Sequence, residues 1–158
     1  KRVLLIWRQI WTSTFMEIKN KIFIDSNFFI SLFNLKDSLH QQAIDLDKKL
    51  DSSERQLMLS NFIFSEVITV LSMKAGFEIA LEAGESLLQN PAIEIIYIDH
   101  ELQRQTWEIF KELKMKNLSF VDASTIAVMQ AESLAELLTF DYKDFKPLTR
   151  KYNFNLIL

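Results

Sequence analysis

The sequence predicts an α/β fold: a single domain with a central, mainly parallel sheet of about five strands and helices on both of its faces. Three observations carry that expectation. Short apolar runs alternate along the chain with segments whose apolar residues recur at helical spacing, the pattern of successive βαβ units. The 158 residues, 49% of them hydrophobic, suffice for one sizeable core and make two domains unexpected. With two glycines, two prolines and no low-complexity tract, nothing marks an internal boundary.

The elements follow in order. "KIFID" (21–25) is an apolar run closed by an acid and reads as the first strand, and "SNFFISLFNL" after it reads as a helix. From Ser38, the residues Leu39, Ala43, Leu46 and Leu50 form the stripe of an amphipathic helix. "QLMLS" (56–60) is the second strand, followed by helical spacing at Ile63, Val67, Val70 and Leu71. "GFEIALEAGESLLQN" makes another helix, ended by Asn90 and Pro91. "IEIIYI" (93–98), rich in β-branched residues, is the third strand. Leu102, Ile109, Phe110 and Leu113 predict a helix ending near Asn117. "SFVDASTIAVMQAESL" opens with Ser119 three residues before Asp122, the spacing of a capping box, and continues as a helix. "ELLTF" (136–140) and "FNLIL" (154–158) supply the last two strands.

Composition and charge narrow the function. The absence of cysteine excludes a disulfide framework and thiolate zinc sites, and suits a reducing compartment, so the cytoplasm is the expected location. Residues 1–21 carry a net charge of +4 and residues 141–158 a net of +2, which leaves −9 on the body between them. An acidic body argues against a protein that coats nucleic acid through phosphate neutralisation, but not against a nuclease holding cations in a carboxylate pocket. The uncharged stretch Val3 to Trp7 is far shorter than the roughly 20 residues that span a bilayer, and no cleavage pattern of a secretory signal follows it. "MEIKNKIFID" reads as an ordinary start at Met16, so residues 1–15 are expected to be an upstream extension, the alternative being an amphipathic helix.

Four acids fall at strand ends or early in the helices that follow: Asp25, Glu66, Asp122 and Asp141. Open parallel sheets bind ligands beyond the carboxyl ends of their strands. Glu66 is flanked by Ile63, Phe64 and Val67, and Asp122 shares a helix face with Ile126 and Met129, unfavourable company for solvated acids. Carboxylates brought together repel, so either some are protonated or a hard divalent cation neutralises them. Mg²⁺ or Mn²⁺ accepts such oxygen ligands, and metal ions in this setting activate water at a phosphodiester. Taken singly, each acid has a structural explanation: Asp122 and Asp25 as helix caps, Glu66 as a surface acid, and Asp141 and Asp144 as turn residues. All four together at one sheet edge are harder to explain in that way.

The segments "IFIDSNFFISLF", "SNFIFSEVITVL", "LSFVDASTIAVMQ" and "LLTFDYKDF" carry a resemblance to PIN-domain nucleases, especially VapC-type toxins. The resemblance covers about residues 21–158 of an expected PIN-like domain over 16–158. It implies that Asp25, Glu66, Asp122 and Asp141 are the catalytic and metal-binding acids. In the "T-x-D-x-x-D-F" pattern either aspartate can approach the metal, which adds Asp144, while Phe145 anchors the loop in the core. Ser26, Asn27 and Thr139 match polar positions that orient acids or waters. The resemblance further implies Mg²⁺- or Mn²⁺-dependent cleavage of RNA, usually as a homodimer and often as a toxin blocked by a cognate antitoxin protein.

Lys143, Lys146, Arg150 and Lys151 read either as phosphate contacts beside the acids or as a solvated C-terminal surface. "FFISLFNL" (28–35) has more apolar positions than one stripe needs, so it is a helix buried all round or part of a dimer or antitoxin interface. His40 and His100 read as surface or cap residues, and no glycine-rich phosphate loop is present. An aspartyl-phosphate enzyme of the haloacid-dehalogenase type would need a second acid where Asn27 stands. The competing reading from another class is a catalytically inactive PIN-like module that binds RNA or protein, against which the full set of acids argues.

Overall fold

The computed structural model describes residues 21–157. The expected extension over residues 1–15, and a start at Met16, lie outside the described residues. The five expected strands form: β1 (Lys21–Ile24), β2 (Gln56–Ser60), β3 (Ile93–Ile96), β4 (Glu136–Leu138) and β5 (Asn155–Ile157). They pair in the order β3-β2-β1-β4-β5, every pairing parallel. Between them lie α1 (Ser26–Phe33), α2 (His40–Asp51), α3 (Asn61–Lys74), α4 (Phe77–Gln89), α5 (His100–Leu113) and α6 (Phe120–Ala131). The last connection is a run of short turns, α7 (Tyr142–Phe145), a 3-10 segment (Lys146–Leu148) and α8 (Thr149–Tyr152), where the sequence suggested only a loop.

The chain steps outward from β1 to β2 to β3, then returns past β1 to β4 and on to β5. Right-handed parallel crossovers carry the helices to the opposite face when the direction reverses, so α1 to α4 cover one face and α5 to α8 the other. On that second face Lys151 and Tyr152 of α8 both meet Glu112 of α5, at 2.8 and 3.3 Å. The reversal makes a switch point between the neighbours β1 and β4, whose following connections leave in opposite directions. The crevice beyond their carboxyl ends is the place where such sheets bind ligands.

Local sequence explains how that crevice is built. Ile22, Phe23 and Ile24 are completely buried, as an unbroken apolar run on a doubly covered central strand must be, and each is worth about 1.5–3 kcal/mol in removed apolar surface. Asp25 caps α1 by accepting from the Ser26 backbone N–H at 2.7 Å. The surplus apolar positions of α1 are absorbed by burial: Phe28 and Phe29 lie in the core, with Ile30, Leu32 and Phe33 packed against it, and only Leu35 beyond the helix is strongly exposed. Ser60 caps α3, accepting from Ile63 N at 3.1 Å. The capping box expected at Ser119 and Asp122 forms in full.

β3 and β4 stop short of their expected ends for a common reason. The Phe140 N–H donates to Asn27 Oδ1 at 3.0 Å and the Ile98 N–H to Asn61 Oδ1 at 2.9 Å, so side chains take the donors that a longer ladder would use. α5 ends at Leu113, with Lys114 in the left-handed region (φ 46°), ahead of the expected stop near Asn117. Phe145 is fully buried, the anchor expected of it. Among the described residues no helix is long and apolar enough to cross a membrane.

Candidate functional site

The first half of the site is a hydrogen-bonded junction between the ends of β1 and β4. Asp25 is 2% exposed, and its three acceptor contacts come from separate groups. Oδ1 accepts from Ser26 N at 2.7 Å, and Oδ2 accepts from the Thr139 hydroxyl at 2.7 Å and from Asn27 Nδ2 at 2.8 Å. The same Asn27 amide donates to Asp141 Oδ2 at 2.9 Å, and Thr139 Oγ1 accepts from Asp141 N at 3.0 Å. Asn27 therefore spans two acids that are 116 positions apart in sequence. Ser26 acts in this network through its backbone N–H.

The second half is carried by helices. Glu66 lies on α3, half-buried, beyond the cap at Ser60. Asp122 sits in the first turn of α6, where its Oδ2 accepts from Ser119 N at 2.7 Å while its own N–H donates to Ser119 Oγ at 3.1 Å. The capping role and the site role of Asp122 are thus compatible, because the cap uses one carboxylate oxygen.

The charges of the two halves act on each other. Burial pushes the Asp25 carboxyl up to about 7; the Thr139 hydroxyl opposes that shift, the Asp122 charge adds to it, the Ser26 N–H opposes it, and the Asp141 charge adds again. Burial also raises Asp122; its bonds to Ser119 work against this, and the charges of Glu66 and Asp141 reinforce it. The four acids named from the sequence therefore share one electrostatic neighbourhood. Asp144 is half-buried on α7 and makes no side-chain hydrogen bond to the Asn27 network among the described residues.

Among the described residues no group of three or more acidic or histidine side chains is gathered tightly enough to enclose an ion alone. A hard cation that keeps several waters and takes one or two carboxylates directly, the habit of Mg²⁺, fits that open arrangement and its oxygen-only donors. Of the basic residues, Lys143 and Arg150 are exposed and Lys146 lies over the Tyr142 ring at 5.4 Å. Lys151 is engaged by Glu112 at 2.8 Å. His40 bonds the Ser31 carbonyl oxygen at 2.8 Å and belongs to the α1–α2 corner. Ser60, fully buried at the end of β2, was not singled out in the sequence, although a serine at a strand end just before a helix is the usual signal of a cap.

This sheet order, with acids at its switch point, defines an open parallel α/β domain whose ligand crevice is acidic. Residues 22–151 match the family model of the PIN domain, and the chain belongs to that family. It is 30% identical over 121 residues to the 23S rRNA-specific endonuclease VapC20 of Mycobacterium tuberculosis, across 76% of this chain and 88% of that protein. It is 28% identical over 123 residues to a VapC ribonuclease of Archaeoglobus fulgidus, across 75% of each. The crystal structure of Mycobacterium tuberculosis VapC20, described as a sarcin-ricin loop cleaving toxin, superposes with a TM-score of 0.69 at 28% identity, covering 80% of this chain and 94% of that one. A toxin-antitoxin complex from Klebsiella pneumoniae shares the fold with a TM-score of 0.59 at 22% identity, covering 87% and 96%. The chain is a distant homologue of the VapC ribonuclease toxins.

Proposed function

We propose that this protein is a Mg²⁺- or Mn²⁺-dependent endoribonuclease, acting in the cytoplasm as the toxin of a toxin-antitoxin pair. The observation that carries the reading is the meeting of Asp25, Glu66, Asp122 and Asp141, from four separate elements, in one electrostatic neighbourhood. When bound, the cation supplies an activated water and stabilises the leaving oxygen of the phosphodiester. Asp25, Asp122 and Asp141 would hold the ion, one or two of them directly and the rest through its waters, with Glu66 completing the acidic wall and Asp144 a further ligand at the rim. Asn27, Thr139 and the Ser26 N–H fix the Asp25 and Asp141 carboxylates. Because burial pushes the Asp25 carboxyl up to about 7, a bound cation would take the place of a proton on it near neutral pH. Lys143, Lys146 and Arg150 contact the phosphates of the RNA flanking the scissile bond.

The names of the relatives support RNA as the substrate, and the toxin-antitoxin complexes among the structural neighbours support a cognate antitoxin as partner; a homodimer as the working unit is what the family resemblance alone implies. The test is cleavage of a mixed pool of structured and single-stranded RNA with Mg²⁺, Mn²⁺ or EDTA, run beside Asp122→Asn. Metal-dependent cutting that the variant lacks is the expected result. No cutting by either protein, with no metal binding by calorimetry, would leave the acids as caps and favour a binding module.

A further inference from the structure

Beside the acidic centre lies a cluster of aromatic rings that the chemistry above leaves unused. Phe62 stands one helical turn before Glu66 on α3, and Phe120 opens α6 two residues before Asp122. Their ring centroids are 6.2 Å apart. Phe120 extends the cluster to Phe110 at 5.7 Å and Trp107 at 6.4 Å, both on α5. Trp107 and Phe110 stack at 6.0 Å with 26° between their planes. Packing between helices accounts for Phe62, Phe110 and Phe120, which are half-buried, but not for Trp107, which is 51% exposed.

A hollow of about 270 Å³ opens beside Trp107, walled by Phe110 and Met115, with Lys111 and Lys114 at its rim. Lys114 and Lys116 are exposed, and the nearby acids are already engaged: Glu108 pairs with Lys111 at 2.7 Å and Glu112 with Lys151 at 2.8 Å. A rigid aromatic face, a one-base hollow and a basic rim on an otherwise acidic body match the chemistry of an unstacked nucleobase with its phosphates. We propose that Trp107 is a stacking platform for an unpaired RNA base, with Lys114 and Lys116 contacting the adjoining phosphates. The proposal rests on the RNA-cleaving reading and sharpens it: the substrate is single-stranded, or has a base splayed out, next to the scissile bond.

The test uses the full chain carrying Trp7→Phe and Trp11→Phe, which leaves Trp107 as the sole tryptophan of the original three. A short mixed-sequence single-stranded oligoribonucleotide is titrated in EDTA, so that binding is read without cleavage. Saturable quenching of Trp107, much weaker with the same sequence as a duplex, is expected. In the cleavage assay with Mn²⁺, Trp107→Leu raises KM roughly tenfold with kcat within about threefold, and Trp107→Phe recovers most of that loss. Absence of quenching, or an unchanged KM in Trp107→Leu, overturns the platform. Emission that shifts with protein concentration in the absence of RNA also overturns it and assigns the face to a second protein chain. Quenching without any metal-dependent cutting would sink the nuclease reading while the platform stands; cutting without quenching would do the reverse.

Discussion

The two halves of the acidic centre are built by different means. Asp25 and Asp141 are locked by a shared amide and a buried hydroxyl, so each carboxylate is held by groups from the other's segment. Asp122 is held by its own helix turn, and Glu66 by the helix behind the Ser60 cap. The β1–β4 half stores its order in contacts between distant parts of the chain; the α3–α6 half stores it locally. Removing a group that joins the two segments should therefore cost both stability and activity in the first half, whereas in the second the two can be separated.

The largest effect is expected at Asp25. Asp25→Asn should lower RNA cleavage by on the order of a thousandfold or more, through loss of a charged ligand. Its stability effect should change sign with pH. With the folded-state value raised to about 7 from 3.8, ionisation of Asp25 opposes folding progressively above pH 3.8, and the penalty is complete above about pH 7. That penalty is at most on the order of 4 kcal/mol, against about 1–2 kcal/mol for the acceptor lost where the new amide meets Asn27 or Thr139. Urea unfolding in EDTA should show the variant more stable than the parent at pH 8 and less stable at pH 4.

Asp122→Asn should abolish cleavage to a similar degree, yet keep the fold, because an amide oxygen still accepts from Ser119 N. The comparison is broken if this variant unfolds under conditions where the parent stays folded. Asn27→Ala comes next: it removes donors from Asp25 and Asp141 and the acceptor of the Phe140 N–H, and should cost about 2 kcal/mol in thermal unfolding and on the order of a hundredfold in kcat/KM. Ser119→Ala removes only the local cap, so about 1 kcal/mol and less than a tenfold loss of activity are expected from the same two measurements. Lys151→Ala should be the mildest, leaving cleavage within about twofold because Glu112 already engages that side chain, whereas Lys143→Ala should reduce the salt dependence of RNA binding by about one ion.

The same contrast explains how far the sequence could be read. Every strand and long helix was visible because hydrophobic periodicity is a local signal, and the four acids stood out because each follows a strand end or lies early in a helix. The bonds that join those segments carry no local signal. Asn27 matches a position that orients acids or waters, yet nothing in "SNFF" shows that its amide reaches both Asp25 and Asp141. The early end of β4 follows from the same bonds, since Thr139 and Phe140 serve the junction where the apolar run suggested more strand. The turns from Tyr142 to Tyr152 are too short for any period to register, and the Trp107 cluster draws its rings from three helices, with only Phe110 among them standing out in a helical stripe.

The most direct measurement is a crystal of the protein soaked in Mn²⁺, with anomalous difference density recorded at the switch point and compared with a soaked crystal of Asp122→Asn. A peak bounded by the Asp25, Asp122 and Asp141 carboxylates, and absent in the variant, is the predicted result. Manganese found only at surface carboxylates, with the junction of β1 and β4 empty, would contradict a metal-dependent nuclease and return the four acids to structural roles.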